Sequence, residues 1–359
     1  MALTGNKGEW SEIYVLLKLL GDKKVFSGDE SLNKIESLFY PIVKILRQES
    51  DGEYCYSPNG DIVLISGGLE ELRIPIAKFQ SEAQYLLSSI KKSTGSSFSI
   101  PEIEEFMSCI YCKTLKAPSS DKTDIKIVIH DLRTNQKPLL GFSIKSQLGS
   151  PSTLLNPGVT TNVIYTIAGQ PLSDDRINKI NSVDSTSKVL DRIQMIYIYD
   201  NELKYLKFES TMFENNLKLI DGDLPVIISE VLKQHYIYKL SKIKDIVAQL
   251  QKDNPLNYDV SYGHAFYEYK IKHFLTDVAL GMTPSKKWNG NYDANGGYLI
   301  VKEDGNVLCY HIYNKSDFEN YLLNNTKIDT ASTTRYKFGI VEKAGGTQVF
   351  KLNLQIRFI

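Results

Sequence analysis

Residues 122–147 read KTDIKIVIHDLRTNQKPLLGFSIKSQ. Two apolar-rich runs, Ile125 to Ile129 and Leu139 to Ile144, flank the polar Arg133-Thr134-Asn135-Gln136, the pattern of a β-hairpin. Pairing Asp124 with Lys145 centres the turn between Thr134 and Asn135 and sets Ile125 opposite Ile144, Ile127 opposite Phe142 and Ile129 opposite Leu140. One side is then apolar throughout, as period-two alternation demands, while the other gathers Asp124, Lys126, Ser143 and Lys145. Giving the acid's place to Asp131 would push the turn toward Pro138 and spend Leu139-Leu140 on a loop, so Asp124 is the preferred acid.

An Asp and a Lys at one end of a sheet suit phosphodiester cleavage. The carboxylate can hold a hard divalent ion through oxygen, and the lysine can orient the attacking water or stabilise charge growing on the phosphate. The same two residues also fit a plain cross-strand ion pair, contributing about 0.2–1 kcal/mol.

Working outward, Asn6 to Gly21 reads as a helix, with Trp10, Ile13, Tyr14 and Leu17 at helical spacing and Gly21 as its stop. Glu9 and Glu12 lie in its first turns, where carboxylates suit the helix dipole. Strands are expected at Tyr40 to Arg47, Asp61 to Ser66 and Met195 to Tyr199. Helices are expected at Phe79 to Lys91, Glu102 to Leu115, twice within Asp223 to Lys252, and at His264 to Leu280. Residues 116–121 form a loop into the hairpin, and the breaker-rich run Leu148 to Gly158 suits a loop near a ligand or a surface connection. Toward the C-terminus, Asp304-Gly305 and Gly345-Gly346 mark hairpins, and Ser316 with Glu319 forms a capping box for a helix to Asn325.

The 359 residues suffice for two or three cores, and the formal net charge of zero argues against indiscriminate coating of nucleic acid. Charge is unevenly placed. No acid stands between Asp131 and Asp174, and from Leu323 onward six Lys or Arg face only Asp329 and Glu342, a net of +4. Four cysteines, no apolar leader after Met1-Ala2-Leu3-Thr4 and no run of membrane-span length point to a cytoplasmic protein. Cys109-Ile110-Tyr111-Cys112 has zinc-ligand spacing but no second close pair, so an ordinary helix-face pair is the better reading.

At Lys122-Thr123-Asp124 and Ser143-Ile144-Lys145 the chain resembles the PD-(D/E)xK nucleases, in which Pro-Asp opens one strand and (Asp/Glu)-x-Lys closes its hairpin partner. Three longer segments sharpen this: Asn6 to Tyr14, Gly141 to Ser146 with Ser152 to Asn156, and Lys351 to Phe358. Together they resemble the HpaII family of type II restriction endonucleases over essentially the whole chain. The resemblance implies a mixed α+β (α/β) fold, with a central mixed sheet flanked by helices and an additional C-terminal α+β region. The expected division is a nuclease core at 1–220, and a helical connection with a DNA-recognition region at 221–359.

It further implies a Mg2+-dependent endonuclease that cuts double-stranded DNA at CCGG, paired functionally with a protecting methyltransferase. Asp124, Ser143 and Lys145 would be catalytic. Serine is a poor Mg2+ ligand, so a second carboxylate must come from elsewhere; Glu12 on the first helix is the candidate, with Glu9 second, and Gln147 could add an amide oxygen. For DNA contacts the candidates are Gln147, Ser152, Thr153, Asn156, Lys327, Ser332, Thr333, Arg335, Lys337 and Arg357, of which Arg and Lys suit guanine and the hydroxyls suit phosphate. A palindromic target favours a two-fold homodimer. Ser143 also motivates two alternatives: a DNA-binding protein with impaired cleavage on a nuclease scaffold, and a repair nuclease of the same fold.

Overall fold

The computed structural model describes residues 2–68, 70–116 and 123–359; the expected loop at 117–121 and Lys122 lie outside them. The chain forms two compact units, one of residues 1–152 and 292–321, the other of 153–291 and 322–359. The chain passes between them three times, a course unlike the contiguous 1–220 and 221–359. Loop-like runs stand at 148–158 and 289–297, but local composition does not show that the chain returns to a unit it has already left.

The first unit opens with α1 (Lys7–Asp22). Asn6 caps it reciprocally, accepting from the Glu9 amide while the Glu9 carboxylate accepts from the Asn6 amide, and Trp10, Ile13, Tyr14 and Leu17 are buried along one face. The helix runs through Gly21 and stops where Lys23 turns left-handed. Next come β1 (Lys24–Gly28), β2 (Lys34–Glu49), β3 (Gly52–Asn59), β4 (Ile62–Ser66), β5 (Leu72–Pro75), α2 (Ile76–Lys92), α3 (Pro101–Cys109), β6 (Ile125–Ile129) and β7 (Leu139–Ser146). The expected helix to Leu115 ends early because Tyr111 takes a positive φ and the Cys112 amide turns back to Met107.

Among the described residues these strands join Gly297–Val301 and Val307–His311 in a nine-stranded mixed sheet. A register shift between Ile42 and Lys44 lets β2 pair with β6 on one edge while meeting β1 and then β3. Because β1 pairs with both β2 and Val307–His311, the order β1, Val307–His311, Gly297–Val301, β7, β6, β2 closes into a ring of six strands.

The hairpin forms with a corrected register. Ile125 faces Phe142, Ile127 faces Leu140 and Val128 faces Leu139, two residues away from the expected pairing. Asp131 bridges Gln136, and Asn135 at φ 56° closes the short loop between them. Asparagine tolerates that conformation, so the turn tightens. A two-residue slip keeps every side chain on its own face, and both faces survive.

The second unit holds a four-stranded antiparallel sheet ordered Glu202–Phe208, Asn162–Ala168, Thr347–Asn353, Val341–Ala344, and a three-stranded one ordered Thr326–Ile328, Ile356–Phe358, Thr153–Leu155. Helices Leu224–Tyr238, Ile243–Asp253 and Phe266–Leu280 match expectation. The strand expected at Met195 to Tyr199 is instead the end of helix Lys188–Ile198, whose buried Val189, Ile193 and Ile196 show helical period only in a longer window. Helix Lys315–Asn324 starts one residue before Ser316, which therefore does not cap it.

Candidate active site

The start of β6 and the end of β7 form one hydrogen-bonded line. Lys145 Nζ donates to Ser143 Oγ at 2.9 Å, Ser143 Oγ donates to Asp124 Oδ2 at 3.0 Å, and the Ile144 amide donates to the same oxygen at 2.6 Å. Ser143 thus links acid to lysine across the hairpin. Local backbone explains the position of Asp124. Thr123 Oγ1 is held by the Asp293 carbonyl at 2.9 Å, and a Cβ on Gly141 would come within 2.7 Å of the Thr123 side chain, so glycine permits the approach.

Burial holds the Lys145 ammonium below the usual lysine range, while the charges of Asp124 and Glu12 pull it back up. Its Nζ lies 5.1 Å over the Tyr298 ring. That phenol is pushed far up by burial and by the Asp124 charge, so it stays protonated and neutral.

Asp124, Lys145 and Glu12 line one cleft of about 1190 Å³, together with Asn6–Glu9, Ser93–Ser96 and Ser146, Leu148–Ser150 and Ser152. The first helix therefore meets the hairpin at the end that carries Asp124 and Lys145. Glu9 is committed elsewhere: the hydrogen bond from Lys116, with a 2.7 Å ion pair, holds it below the usual carboxylate range against the opposing effect of burial, and its other oxygen closes the helix cap. Among the described residues no cluster of three or more His, Cys, Asp or Glu is placed to hold a metal ion; the carboxylates that line the cleft are Glu9, Glu12 and Asp124.

A family model for the HpaII restriction endonuclease matches residues 6–358. The type II restriction enzyme HpaII of Haemophilus parainfluenzae is 48% identical over 359 residues, covering 99% of each chain. The chain belongs to the HpaII restriction endonuclease family. It is a type II restriction endonuclease by that membership. No solved structure matches it.

Within this HpaII-family chain the other expected residues separate into groups. Ser152 lines the cleft; Gln147 does not, and its backbone N–H donates to the Val301 carbonyl at 2.8 Å. In the second unit Lys327, Arg357 and Thr153 stand side by side across the three-stranded sheet, with Arg357 also 3.3 Å from Asp329. Asn156 is exposed just beyond. Ser332 caps the short helix Thr333–Tyr336, exposed Arg335 lies over the Tyr336 ring at 5.4 Å, and Lys337 ends the helix in a left-handed conformation.

Sequence reading missed Ser93–Ser96, whose signal was available: 93–97 reads STGSS, the same acid-free, hydroxyl-rich composition as 150–153. His311, set aside as structural, is fully buried, and burial pushes it down to about 4. Among the described residues no helix is long and apolar enough to cross a membrane.

Proposed function

We propose that this enzyme hydrolyses phosphodiester bonds of double-stranded DNA at CCGG, as Mg2+-dependent chemistry on a PD-(D/E)xK-like core. The observation that carries the reading is the Lys145–Ser143–Asp124 line opening onto the cleft that also receives Glu12.

The residues fit a hard divalent ion. Among the described residues the hydrogen bonds to the Asp124 carboxylate from Ser143 and Ile144 both use Oδ2, leaving Oδ1 as an oxygen donor, and Glu12 supplies a second carboxylate. Mg2+ is commonly bound by one or two carboxylates, keeping waters and taking substrate phosphate oxygens for the rest, so two acids suffice. When bound, the ion would polarise the phosphoryl oxygen and acidify a water. Lys145 holds that water in line or donates to the charged oxygen of the phosphate, and its partial burial strengthens that interaction. Ser143 fixes the lysine head rather than ligating metal. Departure from the family pattern at position 143 is offset by Glu12 from α1.

Catalysis belongs to the first unit in this reading, and base recognition to the region from 323 onward. Arg335, Lys337, Lys327 and Arg357 are the candidates for guanine, and Ser332, Thr333, Ser152, Thr153, Asn156 and Gln147 for phosphate or neighbouring groups. The enzyme would act as a homodimer on its palindrome, with a cognate methyltransferase protecting host sites. Incubation with Mg2+ and plasmid, unmethylated or CpG-methylated, followed by sequencing of the ends, tests the whole proposal. Discrete fragments ending at CCGG are expected; DNA retained without cutting, or nicking without sequence preference, would reject it.

A further inference from the structure

α1 is fastened to the end of β7 by two serine hydroxyls, each one residue away from a proposed functional side chain. Ser11, fully buried, precedes Glu12; Ser146 follows Lys145. Ser11 Oγ lies 2.7 Å from the Lys7 carbonyl and 2.7 Å from Ser146 Oγ, and the Leu148 amide donates to Ser146 Oγ at 3.1 Å. A hydroxyl carries one proton. A carbonyl can only accept, so Ser11 donates to Lys7 and Ser146 donates to Ser11. The result is a one-way chain from the Leu148 amide through both hydroxyls to the Lys7 carbonyl, in which every group is satisfied. Just beyond it the chain presses on the helix again, where a Cβ on Gly149 would stand 3.2 Å from the Lys7 Cβ.

Successive helical residues point about 100° apart around the axis. Pinning Ser11 to the strand therefore sets the rotation of α1 and with it the bearing of Glu12. A serine bonded to its own i−4 carbonyl brings a helix no gain by itself, which makes the link to Ser146 the more informative use of the residue.

We propose that Ser11 and Ser146 are positioning residues that present Glu12 to the metal shared with Asp124. This rests on the reading of Glu12 and Asp124 as metal ligands given above. The test is isothermal titration of Mn2+ into the full-length protein, alongside the Mg2+ concentration giving half-maximal cleavage and the melting temperature, for Ser11→Ala, Ser146→Ala, the double variant and Ser146→Thr. Alanine is the better helix former, so Ser11→Ala retains the fold.

We expect each alanine variant to weaken Mn2+ binding and raise the Mg2+ midpoint several-fold, to about 10-fold, as for loss of one hydrogen bond. The double variant should be no worse than either single, and Ser146→Thr should restore both values. Unchanged Mn2+ binding in Ser11→Ala, or additive losses in the double variant, would overturn the inference. Glu12→Gln separates the two levels. If it weakens Mn2+ binding while the serine variants do not, only the positioning role falls; if it leaves Mn2+ binding intact, the ligand reading falls as well.

Discussion

β6 carries an aspartate near each end, and the two are used in opposite ways. Asp131 is almost wholly buried and is consumed by its own turn: the Arg133 amide donates to Oδ1 at 2.9 Å, and its buried Oδ2 accepts no hydrogen bond from the described residues. Burial pushes its carboxyl up, but the Arg133 amide, the Thr134 hydroxyl and the Arg133 charge outweigh that and leave it below the usual range. Asp124 is half-buried, is held by the opposite strand rather than by its own loop, and faces a cleft shared with a lysine and a second carboxylate. The same residue type thus serves turn structure at one end of the strand and, in the proposed function, chemistry at the other. What separates them is whether the hydrogen bonds come from sequence neighbours or from across the fold.

The contrast is tested most severely by cleavage rates. Lys145→Ala and Asp124→Asn should each lower single-turnover cleavage by about 10²–10⁴-fold while DNA affinity, measured by gel shift in Ca2+, is retained. Normal cutting by either would move the chemistry away from this end. At the other end, Asp131→Asn should leave cleavage intact and cost about 1–3 kcal/mol of stability by denaturant titration. Because the folded pKa of Asp131 is depressed, this stabilisation is full above the unfolded value near 3.8 and is lost as pH falls through the lower folded value. A stability gap that persisted undiminished in strong acid would refute the electrostatic part.

A finer probe is Ser143→Ala. Losing the hydroxyl between Asp124 and Lys145 should slow cleavage by about 10-fold, the scale of one hydrogen bond, with little change in the metal requirement. A large rise in the Mg2+ requirement would make Ser143 a ligand after all. The smallest effect is a pH shift. Glu12→Gln removes one of the two charges that raise the Lys145 pKa, so the alkaline limb of its residual activity should move to lower pH. A limb that stays put would take Glu12 out of the lysine's electrostatic surroundings.

Much of this was legible in the sequence. Alternation assigned Ile125, Ile127 and Phe142 to one face and Asp124, Ser143 and Lys145 to the other, because period two fixes faces. It could not fix the pairing, since a slip of two residues changes no face and the deciding feature was the left-handed Asn135. The helix-dipole reading gave Glu9 a structural use, and the structure has it capping α1 and paired with Lys116 at the rim of the same cleft that Glu12 lines. Hydroxyl contacts such as Ser11 to Ser146 leave no periodic trace, being long-range pairings of common residues. The helix Lys188–Ile198 escaped because a five-residue apolar window does not distinguish helix from strand.

The pairing of β7 with Gly297–Val301 has a consequence for biosynthesis. These strands are neighbours and parallel, Ser143 beside Tyr298 and Lys145 beside Ile300, yet residues 147–296, which include the first long segment of the second unit, are made between them. A nascent chain that has emerged through Ser152 already contains Asp124, Ser143 and Lys145 but not the Tyr298 ring over which the lysine lies. Loop closure across so long a segment is slow compared with hairpin formation. The hairpin can therefore fold early while the lysine's final environment waits for the last part of the chain, so a cell making this nuclease gains an interval in which unfinished molecules hold the proposed catalytic residues without their completed surroundings.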